Sequence, residues 1–318
     1  NPGALPGSDV RVSVVLCEHT TDRYEHCREA AESVLAQTYD DVELVLVADG
    51  DEAVCSAFER DYRDRADVVV HCNEHNVGLL ESRNNGAEAA TGEVVAFIDD
   101  DAVAEEDWIA ELVAVYDSRE VPAVGGRMTP LWVAGKPSFL PAEFYWLVGV
   151  THRGFADGPG EVRNTNGSNI SFRREVFLDL GGFESDIGGR QGDRNLQGGE
   201  TELGARLKRE YGHGVYYTPA ARVGHKVFEY RTDPSWLLDR AFWQGYSKRG
   251  MEMFVPGSTG EETAFLGDLV TRFAPSRLST LIRSPSLPGL LQLVMLVVFT
   301  ATVGAGYLYG AVKWSFVD

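Results

Sequence analysis

Val94-Val95-Ala96-Phe97-Ile98-Asp99-Asp100-Asp101 is the stretch that decides the fold. Its five apolar, largely β-branched residues read as a strand buried on both faces. Three carboxylates follow at once, and they cannot enter a dry core without a counter-charge. In an open parallel sheet, ligands sit just beyond the carboxyl ends of the strands. Acidic groups at that edge suit a hard divalent cation, Mg²⁺ or Mn²⁺, held by one or two carboxylates together with a ligand's phosphates. The competing interpretation is a solvated acidic turn that caps the helix near Trp108.

Upstream, Arg11 to Cys17 is a first buried strand, and Asp22-Arg23-Tyr24-Glu25 has the capping-box pattern of a helix running to about Leu35. A second strand, Glu43 to Ala48, ends in Asp49-Gly50-Asp51, again acidic. A helix to about Tyr62 and a third strand from Asp67 to His71 follow. The turn His75-Asn76-Val77-Gly78 then opens a helix that carries Arg83-Asn84-Asn85. This β-α-β-α alternation implies an α/β fold with a mostly parallel sheet and right-handed crossovers. Neither G-x-G-x-x-G nor G-x-x-x-x-G-K-[ST] follows any strand, so dinucleotide and P-loop folds have no fingerprint here.

Downstream, Trp108 to Tyr116 reads as a helix and Val121 to Gly126 as a strand. Trp132 to Gly160 is long, aromatic and rich in Gly and Pro. It is either a binding loop whose Trp132 and Trp146 stack on sugar or lie on lipid, or a locally folded hydrophobic patch. Gly167 to Phe172 is a strand, Arg174 to Leu180 a short helix, and Gly198-Gly199-Glu200-Thr201-Glu202 opens a helix to about Tyr211. Val215 to Tyr217 is a strand, with Val223-Gly224-His225 after it. In the helix from Trp236 to Arg249, Arg240, Gln244 and Lys248 share one face.

Gly289 to Val312 carries no charge. As a helix it reaches roughly 36 Å, enough to cross a ~30 Å hydrocarbon core once. Arg272, Arg277 and Arg283 precede it and only Lys313 follows, a bias that puts the main domain in the cytoplasm of a single-pass protein of the cell membrane. Gly306-x-x-x-Gly310 offers a helix-packing face. The expected organisation is a flexible leader (1–10), one catalytic domain (11–255), a juxtamembrane segment (256–288), the membrane helix (289–312) and a short tail (313–318).

A net charge of −19 excludes binding to a nucleic-acid backbone by charge alone. Scarce lysine, common arginine and the acidity together suggest a salt-rich cytoplasm. Cys17, Cys27, Cys55 and Cys72 show no C-x-x-C spacing and read as reduced, mostly buried thiols.

Assembled, the strand ends bring Asp49, Asp99 and Asp101 together with the turn at Gly78 and with Arg83. Carboxylates of this kind hold a ribose and a metal, and the metal neutralises a diphosphate. No nucleophile with an adjacent base accompanies them, so covalent catalysis is not suggested. A diphosphate leaving from a sugar carbon needs an attacking hydroxyl and one general base.

Four blocks in order resemble the family 2 glycosyltransferases of the GT-A fold. They are S-V-V-L-C (Ser13–Cys17) with V-L-V-A-D-G (Val45–Gly50), N-V-G-L-L-E-S-R-N-N-G-A (Asn76–Ala87) with G-E-V-V-A-F-I-D-D-D-A, G-S-N-I-S-F-R-R-E-V-F-L-D-L-G-G-F (Gly167–Phe183), and G-G-E-T-E-L-G-A-R-L (Gly198–Leu207). The resemblance implies that Asp49 contacts the nucleoside and that Asp99, Asp100, Arg83 and Asn169 bind the nucleotide sugar. Asp101, with Asp99 beside it, is the expected metal ligand, and His225 a further metal or diphosphate contact. The family's Glu-Asp before Thr-Glu-Leu is Gly199-Glu200 here, which makes Glu200 the base and Glu202 its rival.

The acidic composition, the carboxy-terminal helix, the run from Phe144 to Asn164 and the block H-K-V-F-E-Y-R (His225–Arg231) resemble haloarchaeal enzymes that build N-glycans on dolichol phosphate. Within that group the likeness implies transfer of a hexuronic acid, glucuronate, from a nucleotide-diphosphate donor such as UDP-glucuronate to a dolichyl-phosphate hexose. Arg153 or Arg163 would then fork onto the uronate carboxylate, and Arg240, Gln244, Trp132 and Trp146 would lie on the acceptor side. The alternatives are a silent nucleotide-sugar-binding membrane protein, a family 2 transferase with another sugar or a polysaccharide acceptor, and a metal phosphohydrolase. The last lacks a second carboxylate or histidine cluster nearby.

Overall fold

Four strands, β1 (Val12–Glu18), β2 (Val42–Asp49), β3 (Val68–Asn73) and β4 (Val94–Ile98), lie in the order β3-β2-β1-β4 and are all parallel. Every residue of β1 and β4 is buried, as their unbroken apolar runs require. The crossovers are α1 (Tyr24–Leu35), α2 (Glu52–Tyr62) and α3 (Leu79–Ala89). Strand order reverses at β1, with β2 on one side and β4 on the other. The crevice beyond their carboxyl ends is therefore the place where an open sheet takes a ligand. The computed structural model describes residues 10–187, 189–191, 194–255 and 260–314; most of the expected leader and tail, and part of the juxtamembrane segment, lie outside these residues.

Past β4 the sheet becomes antiparallel. β5 (Ala102–Ala104) follows the triple Asp directly, with no room for a crossover helix. Next come α4 (Trp108–Ser118), β6 (Ala123–Trp132), β7 (Gly160–Val162), β8 (Ile170–Arg173) and α5 (Arg174–Asp179). A hairpin of β9 (Gly189–Gln191) and β10 (Arg194–Leu196) precedes α6 (Gly199–Tyr211) and β11 (Val215–Val227). The full order is β3-β2-β1-β4-β8-β6-β11-β5, with β7 also on β11; β8 is antiparallel to β4 and β6, and β11 to β5 and β7. The core beneath this sheet clusters Phe97, Phe172, Phe177 and Phe183, with ring centroids 5.3–6.4 Å apart.

Two compact units emerge. The first holds the described chain up to Thr129 together with residues 158–187 and 199–226; the second holds Pro130–Asp157, the β9–β10 hairpin and the described chain from Val227 onward. The second unit is helical, with α7 (Pro234–Phe254), α8 (Gly260–Asp268), α9 (Ala274–Arg283) and α10 (Leu287–Trp314). Asp233 caps α7 by accepting from the Ser235 and Trp236 amides, and Pro234 opens it. α10 is long and apolar enough to cross a membrane. Its Gly306 and Gly310 are occupied within the chain: a methyl on Gly306 would collide with the Phe242 carbonyl, and Gly310 lies against Arg249 and Tyr246.

Several local expectations are corrected. Thr20, not Asp22, caps the entry to α1, accepting from the Asp22 amide at 3.2 Å, while Glu25 pairs with Arg28. The two short strands expected around Val215 and His225 are one strand, β11, and β5 was not expected at all. The Trp132–Gly160 stretch contains the end of β6 and a 3-10 turn at Ala142–Val148. Cys55 and Cys72 are joined by a disulfide between α2 and β3, with Cα atoms 5.8 Å apart, so they are not reduced thiols. Cys17 and Cys27 are buried and free as expected, and burial pushes the Cys17 thiol up to about 12.

At the opposite end of the strands from the acidic edge, Glu43 is buried and accepts from Ser13 Oγ (2.5 Å), the Thr91 amide (2.8 Å) and Thr91 Oγ1 (2.7 Å). Burial works to raise its pKa, but these donors outweigh that and hold it below the ordinary value. A lowered carboxylate pKa stabilises the fold above the ordinary carboxylate range, and that contribution is lost as pH falls through the folded value. Glu43→Gln should therefore cost about 1–3 kcal/mol near neutral pH, since it leaves buried donors poorly matched. Denaturant titrations of the two proteins should converge below about pH 4.

Candidate active site

The acidic edge is built by strand ends. Asp99, Asp100 and Asp101 leave β4 in a tight turn closed by the Ala102 amide on the Asp99 carbonyl, 3.1 Å. Asp101 is 3% exposed, and its Oδ1 meets His225 Nε2 of β11 at 3.2 Å. The next residue, Lys226, donates its amide to the Asp101 carbonyl at 2.8 Å and its Nζ to Glu29 at 2.6 Å. Arg23, at the entry to α1, lies 3.4 Å from Asp100 and 3.9 Å from Asp101. The triple Asp is therefore not the cap of the helix at Trp108, where Asp107 holds the capping position.

Behind this edge lies Arg83, 2% exposed on α3. Its Nη2 donates to Asp99 Oδ1 at 2.5 Å and its Nη1 to Glu200 Oε1 at 3.4 Å. The guanidinium also sits over the rings of Phe97 (5.9 Å) and Phe183 (5.7 Å). Burial works against its charge, yet the Asp99 and Glu200 carboxylates hold its pKa above the usual arginine value. Gly167 passes so close that any side chain there would collide with Glu200 Oε1 and crowd the Arg83 guanidinium.

The two candidate bases are treated differently. Glu200, in the first turn of α6, gives Oε1 to Arg83; its Oε2 has no hydrogen-bond partner among the described residues, and its side chain is 25% exposed. Glu202 is gripped by both oxygens, from Arg206 Nε at 2.6 Å and Arg206 Nη2 at 2.5 Å. Arg206 in turn ties to the carbonyls of Leu180 and Gly182.

Asp49 lines a cleft beyond the ends of β1 and β2. Asp49 is 4% exposed and accepts from Asn73 Nδ2 (3.0 Å), the Val77 amide (2.8 Å) and the Gly78 amide (3.0 Å), so it fastens the turn that starts α3. Gly50 beside it approaches the Asn76 amide so closely that no Cβ fits. Asn169 is fully buried, accepting from Trp108 Nε1 at 2.8 Å and donating to the carbonyls of Arg127 and Ala221. It is a core bracket and offers no exposed atom to a sugar. Arg163 donates to Asn164 Oδ1 at 3.0 Å. In the second unit, Arg153 meets the buried Glu143 at 3.3 Å and Gln244 meets Gln197 at 2.7 Å. Trp132 packs edge-on to Tyr145, and Trp146 against Phe144 and Lys248. The aromatic stretch is thus a folded hydrophobic patch. Burial, with repulsion from Arg231, pulls the Arg240 guanidinium down to about 10.

Sequence reasoning missed Arg23, Glu18 and the cleft beside them. A cleft of about 630 Å³ opens at the ends of β1 and β2, lined by His19, Asp49, Gly50, Asp51, Glu52 and Asn76 among others. Glu18 is 2% exposed; its Oε1 accepts from the His19 and Thr20 amides while Oε2 is buried without a hydrogen-bond partner among the described residues. The signal was present: residues that follow β1 must share the edge with those that follow β4.

The donor set fits a hard divalent ion. Burial and the carboxylates of Asp101, Glu18 and Asp99 push Asp100 up to about 7 against the pull of Arg23, the mark of clustered oxygens short of positive charge. Asp101, 3.2 Å from His225 Nε2, and Asp99 two residues before it are the donors at this edge that could hold such an ion.

Residues 16–181 match the family described as Glycosyl transferase family 2. Over 310 residues the chain is 49% identical to the glucosyl-dolichyl phosphate glucuronosyltransferase of Haloferax volcanii, covering 97% of this chain and 99% of that protein. It is 27% identical over 208 residues to the pre-mycofactocin glycosyltransferase of Mycobacterium tuberculosis, 64% of this chain and 41% of that one. Among solved structures, the mannosyltransferase PcManGT from Pyrobaculum calidifontis in complex with GDP-Man and Mn²⁺ is similar at TM-score 0.58 and 17% identity, covering 97% of this chain and 88% of that one. GalNAc-T7 with UDP, GalNAc and Mn²⁺ is similar at TM-score 0.54 and 19% identity, covering 81% and 54%. The chain belongs to glycosyl transferase family 2 and is a glycosyltransferase of the GT-A fold.

Proposed function

We propose that this glycosyltransferase moves glucuronate, with inversion, from a nucleotide-diphosphate donor such as UDP-glucuronate to a dolichyl-phosphate-linked hexose in N-glycan assembly. The observation that carries this reading is the 49% identity to a glucosyl-dolichyl phosphate glucuronosyltransferase across 97% of the chain. In the mechanism we propose, the nucleoside enters the cleft at the ends of β1 and β2, and the diphosphate lies over the Asp99–Asp101 edge. Asp101 and Asp99, with His225 beside them, would hold a Mg²⁺ or Mn²⁺, and the ion would supply neutralisation of the charge that grows on the leaving diphosphate. Arg83 holds Glu200 by Oε1 and leaves Oε2 to accept the proton of the attacking acceptor hydroxyl. That oxygen bonds to the anomeric carbon as the bond from carbon to diphosphate breaks, with the nucleoside diphosphate as leaving group.

Glu202 is disfavoured as base because its two oxygens are spent on Arg206, and it lies about 200° around α6 from Glu200. For the membrane, apolar length favours one crossing and the Arg/Lys bias around it a catalytic part in the cytoplasm; the lateral seating of α10 on its own unit favours a helix that lies along the surface.

Offered a panel of nucleotide sugars with Mg²⁺ or Mn²⁺ and a dolichyl-phosphate hexose, the full chain should transfer glucuronate. Transfer of a different sugar overturns the donor assignment, free nucleotide without product points to hydrolysis, and binding without turnover points to a silent relative. Glu200→Gln should lower kcat on the order of 10²–10⁴-fold, with donor affinity kept. Glu202→Gln should leave kcat nearly intact and lower the melting temperature instead; the reverse pattern would place the base on Glu202. Asp101→Ala should abolish metal-dependent turnover, and calorimetry should find its Mn²⁺ affinity lost while the fold is retained.

A further inference from the structure

α10 has two unlike faces. Its inner face is seated on its own unit nearly from end to end. Gln292 accepts from Arg277 at 2.6 Å and donates to the Ser138 carbonyl at 2.8 Å. Phe299 packs on Phe144 with centroids 5.3 Å apart, Gly306 lies on Phe242, Tyr307 donates to Glu252 at 2.7 Å, and Trp314 stacks on Tyr246 at 5.6 Å. From Gln292 to Trp314 is roughly 33 Å of helix, about the whole hydrocarbon thickness. Two ion pairs stand among the partners along that length: Arg277 holds the fully buried Glu143, and Glu252 pairs with Arg249 at 2.8 Å. A helix that crossed the bilayer would carry these ions into hydrocarbon with it, where charges are expensive.

The outer face is different. Leu287, Leu290, Leu291, Val294, Val297, Leu308 and Val312 are exposed, at helical spacing and without a charge among them, with Leu287, Val297 and Leu308 each more than 60% exposed. α9, just upstream, exposes Leu278 and Ile282 and ends in the exposed Arg283. In a chain of net charge −19, no Asp or Glu occurs from Leu269 to Trp314, while Arg272, Arg277, Arg283 and Lys313 do. One exposed apolar stripe on a helix whose other face is packed within its unit, with the exposed Arg283 before it and Lys313 near its end, suits a bilayer interface in an otherwise acidic protein.

We infer that α10 lies along the surface of an anionic lipid bilayer, its outer face sunk into the headgroup–acyl boundary, and does not span it. This concerns placement alone and is independent of the donor and acceptor proposed above. Arg283 and Lys313 draw the patch to anionic headgroups while the acidic remainder of the chain is repelled from them, so binding depends on lipid charge and on salt.

The test uses the full chain with one added cysteine at a time, Leu290→Cys, Val297→Cys or Leu308→Cys, carrying an environment-sensitive fluorophore. The native thiols do not compete, since Cys17 and Cys27 are buried and Cys55 is bonded to Cys72. With phosphatidylglycerol vesicles and lipid-borne quenchers at graded depths, all three labels should report one shallow depth, about 5–10 Å into the bilayer. Binding should be on the order of tenfold or more tighter than to phosphatidylcholine and should weaken with salt. The double variant Val297→Glu with Leu308→Glu should stay folded by circular dichroism and lose vesicle binding. A label at Val297 near the bilayer centre, with Leu290 and Leu308 toward opposite faces, overturns the inference in favour of a crossing helix. Labels that remain in water, or that are shielded by a second copy of the chain with no lipid quenching, overturn it as well. The vesicles hold neither donor nor dolichyl acceptor, so failure here and failure of the proposed transfer appear in separate assays.

Discussion

A single buried guanidinium organises the catalytic part of this protein. Arg83 is drawn out of water by α3, where a bare charge is unstable, and the fold meets that cost with Asp99, Glu200 and the faces of Phe97 and Phe183. Those partners come from three parts of the chain: β4 and its end (Phe97, Asp99), the first turn of α6 (Glu200), and Phe183 after α5. Because the planar fork reaches two carboxylates in fixed directions, the distance between the acidic edge and the first turn of α6 is set by one side chain. Lysine, a point charge on a flexible stem, cannot hold two carboxylates in that way. The contact also dictates its surroundings, since Gly167 has to lack a side chain for the pair to form.

Charge balance then explains the rest of the edge. Asp49 is neutralised locally, by two backbone amides and Asn73, and becomes a fastener for the turn at Gly78. Asp99 is neutralised by Arg83. Asp100 and Asp101 receive Arg23 at longer range and His225, and Glu18 stands behind them with one buried oxygen unpartnered among the described residues. The deficit of positive charge is therefore concentrated at two consecutive carboxylates beside the reversal of strand order, which is where a phosphate-bearing ligand and its metal approach an open sheet.

The parallel half of the fold was legible because its strands are apolar at every position, and burial on both faces leaves no other assignment for runs such as Val12–Leu16 and Val94–Ile98. Features set by distant partners were not legible. Cys55 and Cys72 carry no spacing signal; they meet because α2 packs beside β3. Asn169 looks like any polar residue near a site until Trp108, Arg127 and Ala221 are found around it. β5 is three residues long, below the length at which alternation means anything, and exists because β11 is there to pair with it. Helical geometry already kept Glu200 and Glu202 from facing one cleft together. Only the structure shows that Arg206, four residues on from Glu202 and anchored to two carbonyls, engages both Glu202 oxygens.

The same limit applies to hydropathy. A sum over Leu287–Trp314 adds both faces of a helix and reports a span, whichever way the faces point. What distinguishes a spanning helix from a surface one is whether its neighbours can follow it into hydrocarbon. Leu and Val can; Glu143 held by Arg277, and Glu252 held by Arg249, can do so only at a cost that side-on seating avoids. A helix whose only charge is Lys313 thus takes its character from its partners as well as its composition, and that character is a property of the packed pair with α7.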